Sequence, residues 1–120
     1  LALRDNASGE IGILRWRQGA WLRLPAPGRG ELPALDFTKS GKPVIAYVDA
    51  GPPAALRVKY FMAGAWHSVG PSVAEETGRL VGGIELSLDS RGRPSIAWSE
   101  QDPGGSPVGV FVRRASAALP

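Results

Sequence analysis

Residues 41–49 read GKPVIAYVD, and residues 92–100 read GRPSIAWSE. The two stretches lie 51 residues apart and share Gly, Pro, Ile and Ala at matching positions. Each begins with a turn-forming Gly-x-Pro and continues into a dense run of apolar residues with an aromatic residue, a pattern typical of a turn followed by a strand. Repetition at a fixed spacing indicates a repeat architecture, and the repeat is therefore the first guide to the fold.

Two further sets of matches define the repeating unit. At the offset of 51, two alternating apolar residues precede each quoted stretch at matching positions. They are Leu35 and Phe37 before the first stretch, and Leu86 and Leu88 before the second. At an offset of 45, Gly-Ala-Trp at 19–21 matches Gly-Ala-Trp at 64–66. The opening LALRD at 1–5 then aligns with IAYVD at 45–49 when the offset is shortened by one residue. The chain therefore contains three copies of one unit, of which the outer two are incomplete.

One unit is predicted to form four short strands. They are separated by Gly- and Pro-rich turns, and their predicted positions are 35–37, 44–48, 56–60 and 65–69. Applied to the whole chain, the pattern predicts ten strands. The only helix candidate, 72–79, lies between Pro71 and the Gly82-Gly83 pair and is predicted to be a loop that interrupts the repeat.

Four strands in a unit of about 40 to 50 residues are typical of a propeller blade. The chain also resembles bacterial β-propeller repeat proteins, whose blades carry Gly-x-Pro-x-Ile/Val-Ala-Trp/Tyr and Gly-x-Trp. The first pattern stands here at 89–98, DSRGRPSIAW, and the second at 64–70, GAWHSVG. The predicted fold is all-β, a partial β-propeller of about two and a half four-stranded blades.

The repeat also predicts the organisation of the chain as one array. Residues 1–30 are expected to form a partial blade and residues 31–70 a complete one. Residues 71–120 are expected to form an incomplete blade with an inserted loop at 71–83. The last unit has no Gly-x-Trp after its third strand, so its fourth strand is expected to be absent or degenerate.

Composition excludes several classes of function. The net charge of +3 comes from scattered basic residues, whereas a nucleic-acid interface needs a clustered stripe. The absence of cysteine rules out a disulfide framework and a Cys-based zinc site. No apolar run approaches the roughly 20 residues of a membrane helix. No cofactor or metal is expected. A secreted or cell-surface location is favoured, although the cysteine count leaves the redox compartment open.

The partial array predicts association, because a blade buries its faces only against neighbouring blades. We expect either a homo-oligomer, in which copies complete one another, or a longer propeller of which this sequence is a piece. The N-terminal Leu1 in place of Met agrees with a processed or excised product. Two copies with ten predicted strands each would supply enough strands for five four-stranded blades.

Two groups of residues are candidate ligand-binding residues. The first comprises three acids at the end of the second strand of each unit, Asp5, Asp49 and Glu100, which a closed ring would display on one face. Such acids bind cations, basic ligands or sugar hydroxyls, but they also serve simply to cap turns. The second group comprises aromatic residues able to stack on sugar rings, namely Tyr47, Trp98 and Trp16.

The aromatic candidates have a structural interpretation as well. Tyr47 and Trp98 lie within the apolar second strand, so packing between sheets is the favoured role for both. Trp16 stands between Arg15 and Arg17 and is the best candidate for exposure. His67 is the only histidine and has no second His or Cys with which to share a metal.

These features favour a non-enzymatic binding or scaffold module that recognises carbohydrate or protein. The alternative from another class is a fragment of a sialidase-like glycoside hydrolase, since 87–92, SLDSRG, has a distant likeness to the Asp-box of those propellers. The alternative is disfavoured, because no cluster of arginines with a matched Tyr and Glu can be identified in this sequence.

Overall fold

A computed structural model of the chain describes residues 1–75 and 79–120, and its strands form three antiparallel sheets. The first sheet contains β1 Ala2–Arg4, β2 Ile11–Arg17 and β3 Ala20–Leu24. The second sheet contains β4 Gly30–Phe37, β5 Pro43–Asp49, β6 Ala55–Met62, β7 Ala65–Ser68 and the two-residue β8 Ala74–Glu75. The third sheet contains β9 Leu80–Leu88, β10 Pro94–Gln101 and β11 Pro107–Arg114.

The structure confirms the all-β prediction. The spatial orders are β1-β2-β3, β4-β5-β6-β7 and β11-β10-β9, so strands that follow one another in sequence are hydrogen-bonded neighbours. The described residues contain no helix. The loop expected at 71–83 differs from the prediction, because β8 pairs with β6 and β9 begins at Leu80. The remainder of that loop, 76–78, lies outside the described residues.

The first quoted stretch, 41–49, supplies β5, the central strand of the molecule, from Pro43 to Asp49. Every residue from Pro43 to Val48 is buried. Successive side chains of a strand point to opposite faces of its sheet, so a strand buried along its whole length must be covered on both sides. Ile45 and Tyr47 face the first sheet, where they pack against Ile11 and Ile13. The alternate residues of β5 pack against the third sheet.

The contact between the second and third sheets repeats this arrangement. On the second sheet, Val44, Ala46 and Val48 form one side of the core. On the third sheet, Ile96 and Trp98 form the other side, and these are the repeat equivalents of Ile45 and Tyr47. We call the face of each sheet that carries these residues its front face and the opposite face its back face. Both internal interfaces therefore join a front face to the back face of the preceding sheet.

Hydrogen bonds between sheets fix the relative position of these faces. Asp36 Oδ2 accepts a 2.8 Å hydrogen bond from the Leu88 N–H, which joins β4 to β9. Gly30 N–H donates to the Gly9 carbonyl at 2.9 Å and joins β4 to the first sheet. A Cβ at Gly30 would collide with the Val48 carbonyl, so only glycine allows β4 to begin at this point.

Residues 115–120 fold back after the third sheet. After β11 ends at Arg114, the chain turns back instead of forming a fourth strand. Leu119 N–H donates to the Gly92 carbonyl at 3.0 Å, and Lys42 Nζ donates to the Pro120 carbonyl at 2.9 Å. The last residues thus cover the two Gly-x-Pro turns, and β11 remains an edge strand. Within the described residues, the three sheets form an open array and not a closed ring.

We predict that Tyr47 is a principal determinant of stability. Its side chain is fully buried, and its hydroxyl donates to the Pro27 carbonyl at 3.1 Å. Tyr47→Ala should cost about 3–5 kcal/mol of unfolding free energy through lost packing, and Tyr47→Phe about 1 kcal/mol through the lost hydrogen bond. Urea unfolding measures both. Phe37→Ala is the control, because that ring is 43% exposed, and a cost equal to that of Tyr47→Ala would contradict the prediction.

Candidate functional site

Asp5, the first of the predicted acids, organises a turn. The residue follows β1, and its Oδ1 accepts hydrogen bonds from the Ala7 N–H at 2.8 Å and the Ser8 N–H at 3.2 Å. These two donors, that of Ala7 foremost, hold the pKa of Asp5 below its ordinary value of 3.8. The carboxylate is thereby engaged by the backbone of its own loop.

Asp49 and Glu100 occupy equivalent strand ends but have different partners. Asp49 Oδ1 accepts the Gly51 N–H at 3.0 Å, and its Oδ2 lies 3.1 Å from Arg57 Nε. Glu100 Oε1 accepts the indole N–H of Trp98 at 3.0 Å, and its Oε2 lies 3.3 Å from Arg79 Nη1. Each acid thus neutralises an arginine and satisfies a donor of its own sheet.

The three acids do not combine into one centre. Asp5 follows the first sheet, Asp49 ends a strand of the second and Glu100 lies in the third. In residues 1–75 and 79–120, no group of three or more His, Cys, Asp or Glu side chains is placed to hold a metal ion. The same part of the chain contains no helix that is long and apolar enough to span a membrane.

Tyr47 and Trp98 are enclosed between sheets. Tyr47 is 0% and Trp98 5% exposed, and the Trp98 ring stacks on Phe111 at 5.7 Å between centroids. Lys59 Nζ lies 5.7 Å from the centroid of the Tyr47 ring. The polar atom of each aromatic side chain also has a partner, since Tyr47 donates to Pro27 and Trp98 to Glu100. Both residues therefore pack the interfaces between sheets.

Trp16 lies in an exposed aromatic pair. Its side chain is 57% exposed, and that of its cross-strand partner Trp21 is 56% exposed. The two rings meet edge to face, with centroids 5.4 Å apart. The pair lies on the front face of the first sheet, because these positions correspond to Phe61 and Trp66 in the second sheet.

A cleft at the junction of the first two sheets combines Asp49 with charged residues that the sequence did not single out. It has a volume of about 340 Å³, and its wall includes Arg4, Arg29, Glu31 and Asp49. Arg4 Nε donates to the Gly30 carbonyl at 3.1 Å, and Arg29 Nη2 donates to the Ser8 carbonyl at 2.6 Å. These bonds hold both guanidinium groups at the rim.

The cleft provides hydrogen-bond donors and acceptors for a polar ligand. A guanidinium group has five N–H donors, so the bonds just described leave donors of Arg4 and Arg29 available. Glu31 contributes an exposed carboxylate as an acceptor. Arg4 belongs to neither recurring motif, and Arg29 lies between β3 and β4, where no residues were matched between the repeats. The sequence contained only one signal for this site, the acid at the end of β5.

Comparison of the chain with protein-family models and with curated proteins finds no match. What the structure itself defines is the architecture of the chain. The chain is an all-β protein of stacked antiparallel sheets in which one unit is repeated.

Asp89 caps the turn between β9 and β10, where the sequence has its likeness to an Asp-box. Its Oδ1 accepts the N–H groups of Arg91 and Arg93 at 2.9 and 3.0 Å, and its Oδ2 lies 2.8 Å from Arg93 Nη2. The backbone hydrogen bond from Arg93 is the main cause that lowers the pKa of Asp89 to about 2. In the second sheet Thr38 caps the equivalent turn without a charge, because its Oγ1 accepts the Lys42 N–H at 3.0 Å.

We predict that acid loosens the Asp89 turn and not the Thr38 turn. The folded pKa of Asp89 lies below its ordinary value of 3.8, so the stabilisation is complete above pH 3.8 and is lost as the pH falls towards 2. Carboxyl NMR titration should give a midpoint near 2, and the protection of the Arg93 amide against exchange, relative to an unfolded peptide, should fall over this range while that of the Lys42 amide does not. Asp89→Asn should abolish the difference; a midpoint near 3.8 would contradict the prediction.

We predict that Glu100 acts on stability through Trp98. Glu100→Ala leaves a nearly buried indole N–H without its acceptor and should cost about 1–2 kcal/mol of unfolding free energy. Glu100→Gln keeps an acceptor oxygen and loses only the ion pair with the exposed Arg79, which is worth about 0.5 kcal/mol. Chemical denaturation of the two variants tests this order, and equal costs for both would show that the hydrogen bond is unimportant.

Proposed function

We propose that the chain is part of a β-propeller and acts as a non-enzymatic binding or scaffold module that recognises carbohydrate or protein. The proposal includes completion of the stack of blades, either by association of copies or within a longer chain. Its binding site is the cleft of Arg4, Arg29, Glu31 and Asp49. The observation that carries the proposal is the convergence of these four side chains where two sheets meet.

The geometry of the sheets supports the propeller class. Consecutive strands are neighbours in every sheet, and the central sheet has the four-stranded order β4-β5-β6-β7. The sheets also stack front to back, as blades do, and their first strands β4 and β9 are in contact. Ligand sites occur where such units meet, because charged residues from separate elements converge there around a concave surface.

The chemistry of the cleft supports binding in preference to hydrolysis. Most glycoside hydrolases use two carboxyl groups at a defined separation, one as acid and the other as nucleophile or base, whereas sialidases use a tyrosine nucleophile, and the described residues of the cleft wall include no tyrosine. Asp49 already holds the Gly51 N–H with one oxygen and Arg57 with the other. A carboxylate engaged in this way can orient a hydroxyl or a basic group, and the adjacent guanidinium groups can donate to hydroxyl or carbonyl oxygens.

A binding screen with paired variants tests the proposed function. A glycan array and a panel of extended peptides are applied to the wild type, and every ligand found is then compared on Glu31→Gln. The variant should weaken binding at least tenfold, because it replaces the exposed carboxylate of the cleft with a neutral amide. Glu85→Gln removes an exposed carboxylate from the third sheet and should bind as the wild type does.

Trp16→Ala tests whether the ligand binds in the cleft or on the exposed aromatic pair. Ligand binding in the cleft should be unchanged by this variant, since Trp16 is not part of the cleft wall. Equal loss of binding in Glu31→Gln and Glu85→Gln, or absence of binding to every glycan and peptide at millimolar concentration, would refute the proposed site.

A further inference from the structure

The front face of the first sheet is an interface surface without a neighbouring sheet. Its residues include Leu3, Trp16 and Trp21, which are 40%, 57% and 56% exposed. By strand register and repeat offset, these positions correspond to Tyr47, Phe61 and Trp66 on the front face of the second sheet. That face is packed against a preceding sheet, and the first sheet has none in the described chain.

Trp66 shows what the exposed Trp21 lacks. Trp66 packs on the Ile11 and Tyr47 cluster between the first two sheets, and its indole N–H donates to the Pro25 carbonyl at 2.6 Å. The acceptor belongs to the segment that follows the preceding sheet. Trp21 occupies the same place in the Gly-Ala-Trp motif but remains more than half exposed. In the second sheet, the motif therefore anchors the sheet to its predecessor.

The back face of the third sheet is the complementary open surface. Val110 and Val112 of β11 point to this face and are 75% and 69% exposed. Register places Val110 and Val112 at the positions of Leu56 and Val58 in β6, which are buried under the third sheet. On this face β11 is therefore equivalent to β6, whose apolar side chains pack against the front face of the third sheet.

We infer that these two faces bind each other between copies of the chain, so that the front face of one first sheet seats on the back face of another copy's third sheet. The inference rests on the proposed stacking of blades and names the surfaces that carry it out. A second copy is the occupant because the required contact continues an interface that the chain already makes twice within itself.

The mode of association is head to tail. The two surfaces are different, so a copy that uses its front face still presents an open back face. Such heterologous contacts continue until a ring closes, or else they form an open filament. Copies that stack without exchanging strands contribute three sheets each. A ring of five four-stranded blades from two copies would instead require strands to move between sheets.

Complementation between two variants tests the inference. Trp16→Ser with Trp21→Ser disables the front face, and Val110→Glu with Val112→Glu disables the back face. Sedimentation velocity should show assemblies of two or more chains for the wild type and monomers for either variant alone. An equimolar mixture should form dimers and nothing larger, because it contains one working front face and one working back face for each pair.

Leu22→Ser is the matched control for the front-face variant. It changes a neighbour of Trp21 that is 47% exposed on the opposite face of β3, and it should associate as the wild type does. A wild type that stays monomeric at millimolar concentration would overturn the inference, because the two faces would then not bind each other between copies. A mixture of the two variants that stays monomeric, or a front-face variant that still associates, would overturn it as well.

Cross-linking gives a second test that does not depend on disrupting the fold. The chain has no cysteine, so Trp21→Cys and Val110→Cys each introduce a single thiol. With a short bismaleimide, the mixed pair should give at least tenfold more cross-linked dimer than either protein alone; equal yields would overturn head-to-tail packing. Neither test involves the ligand, so failure of the Glu31→Gln prediction would leave both results unaffected.

Discussion

The structure depends on the burial of β5 from both sides. Alternate side chains of Val44–Val48 point to opposite faces, and each set fills an interface with a different sheet. The strand has no polar side chain between Pro43 and Val48 except the hydroxyl of Tyr47, which is satisfied by the Pro27 carbonyl. Removal of either neighbouring sheet would expose one set of these residues to water. Three sheets, none large enough to bury itself, are therefore held together by two hydrophobic clusters, one on each side of β5.

The acids at the strand ends stabilise the turns that this core requires. A strand buried on both faces can change direction only outside the core, where its turn needs partners for free backbone N–H groups. Asp5, Asp49 and Asp89 each accept such N–H groups with a carboxylate oxygen. At the repeated strand-end position, Asp5 and Asp49 meet this requirement, whereas Glu100 accepts the indole N–H of Trp98, so each repeated acid has a structural partner. A repeated polar residue is thus weak evidence of a ligand wherever the turn itself is repeated.

The strands could be predicted well because the same unit occurs more than once in the sequence. Residues of β5 and β10 that match at the offset of 51 do pack at equivalent interfaces, as Ile45 and Ile96 show. The cleft could not be predicted in this way, since Arg29 lies between β3 and β4, where no residues match between the repeats. β8 also escaped prediction, because two residues carry no periodic pattern. The exposure of Trp21 could not be predicted either, because Trp21 and Trp66 share one motif and differ in whether a sheet lies in front of them.

The two open faces differ from the internal interfaces in a way that limits their strength. On the third sheet, Ser95 and Ser99 replace Val44 and Val48 of the equivalent buried face, and Glu85 stands where Ala34 does. The apolar contribution of this face comes mainly from β11 and Ala97. Because hydrophobic stabilisation scales with the apolar area removed from water, a contact on this face is weaker than the contact between the second and third sheets. We therefore expect association through this face to be reversible and concentration-dependent, with the stack within one chain left intact.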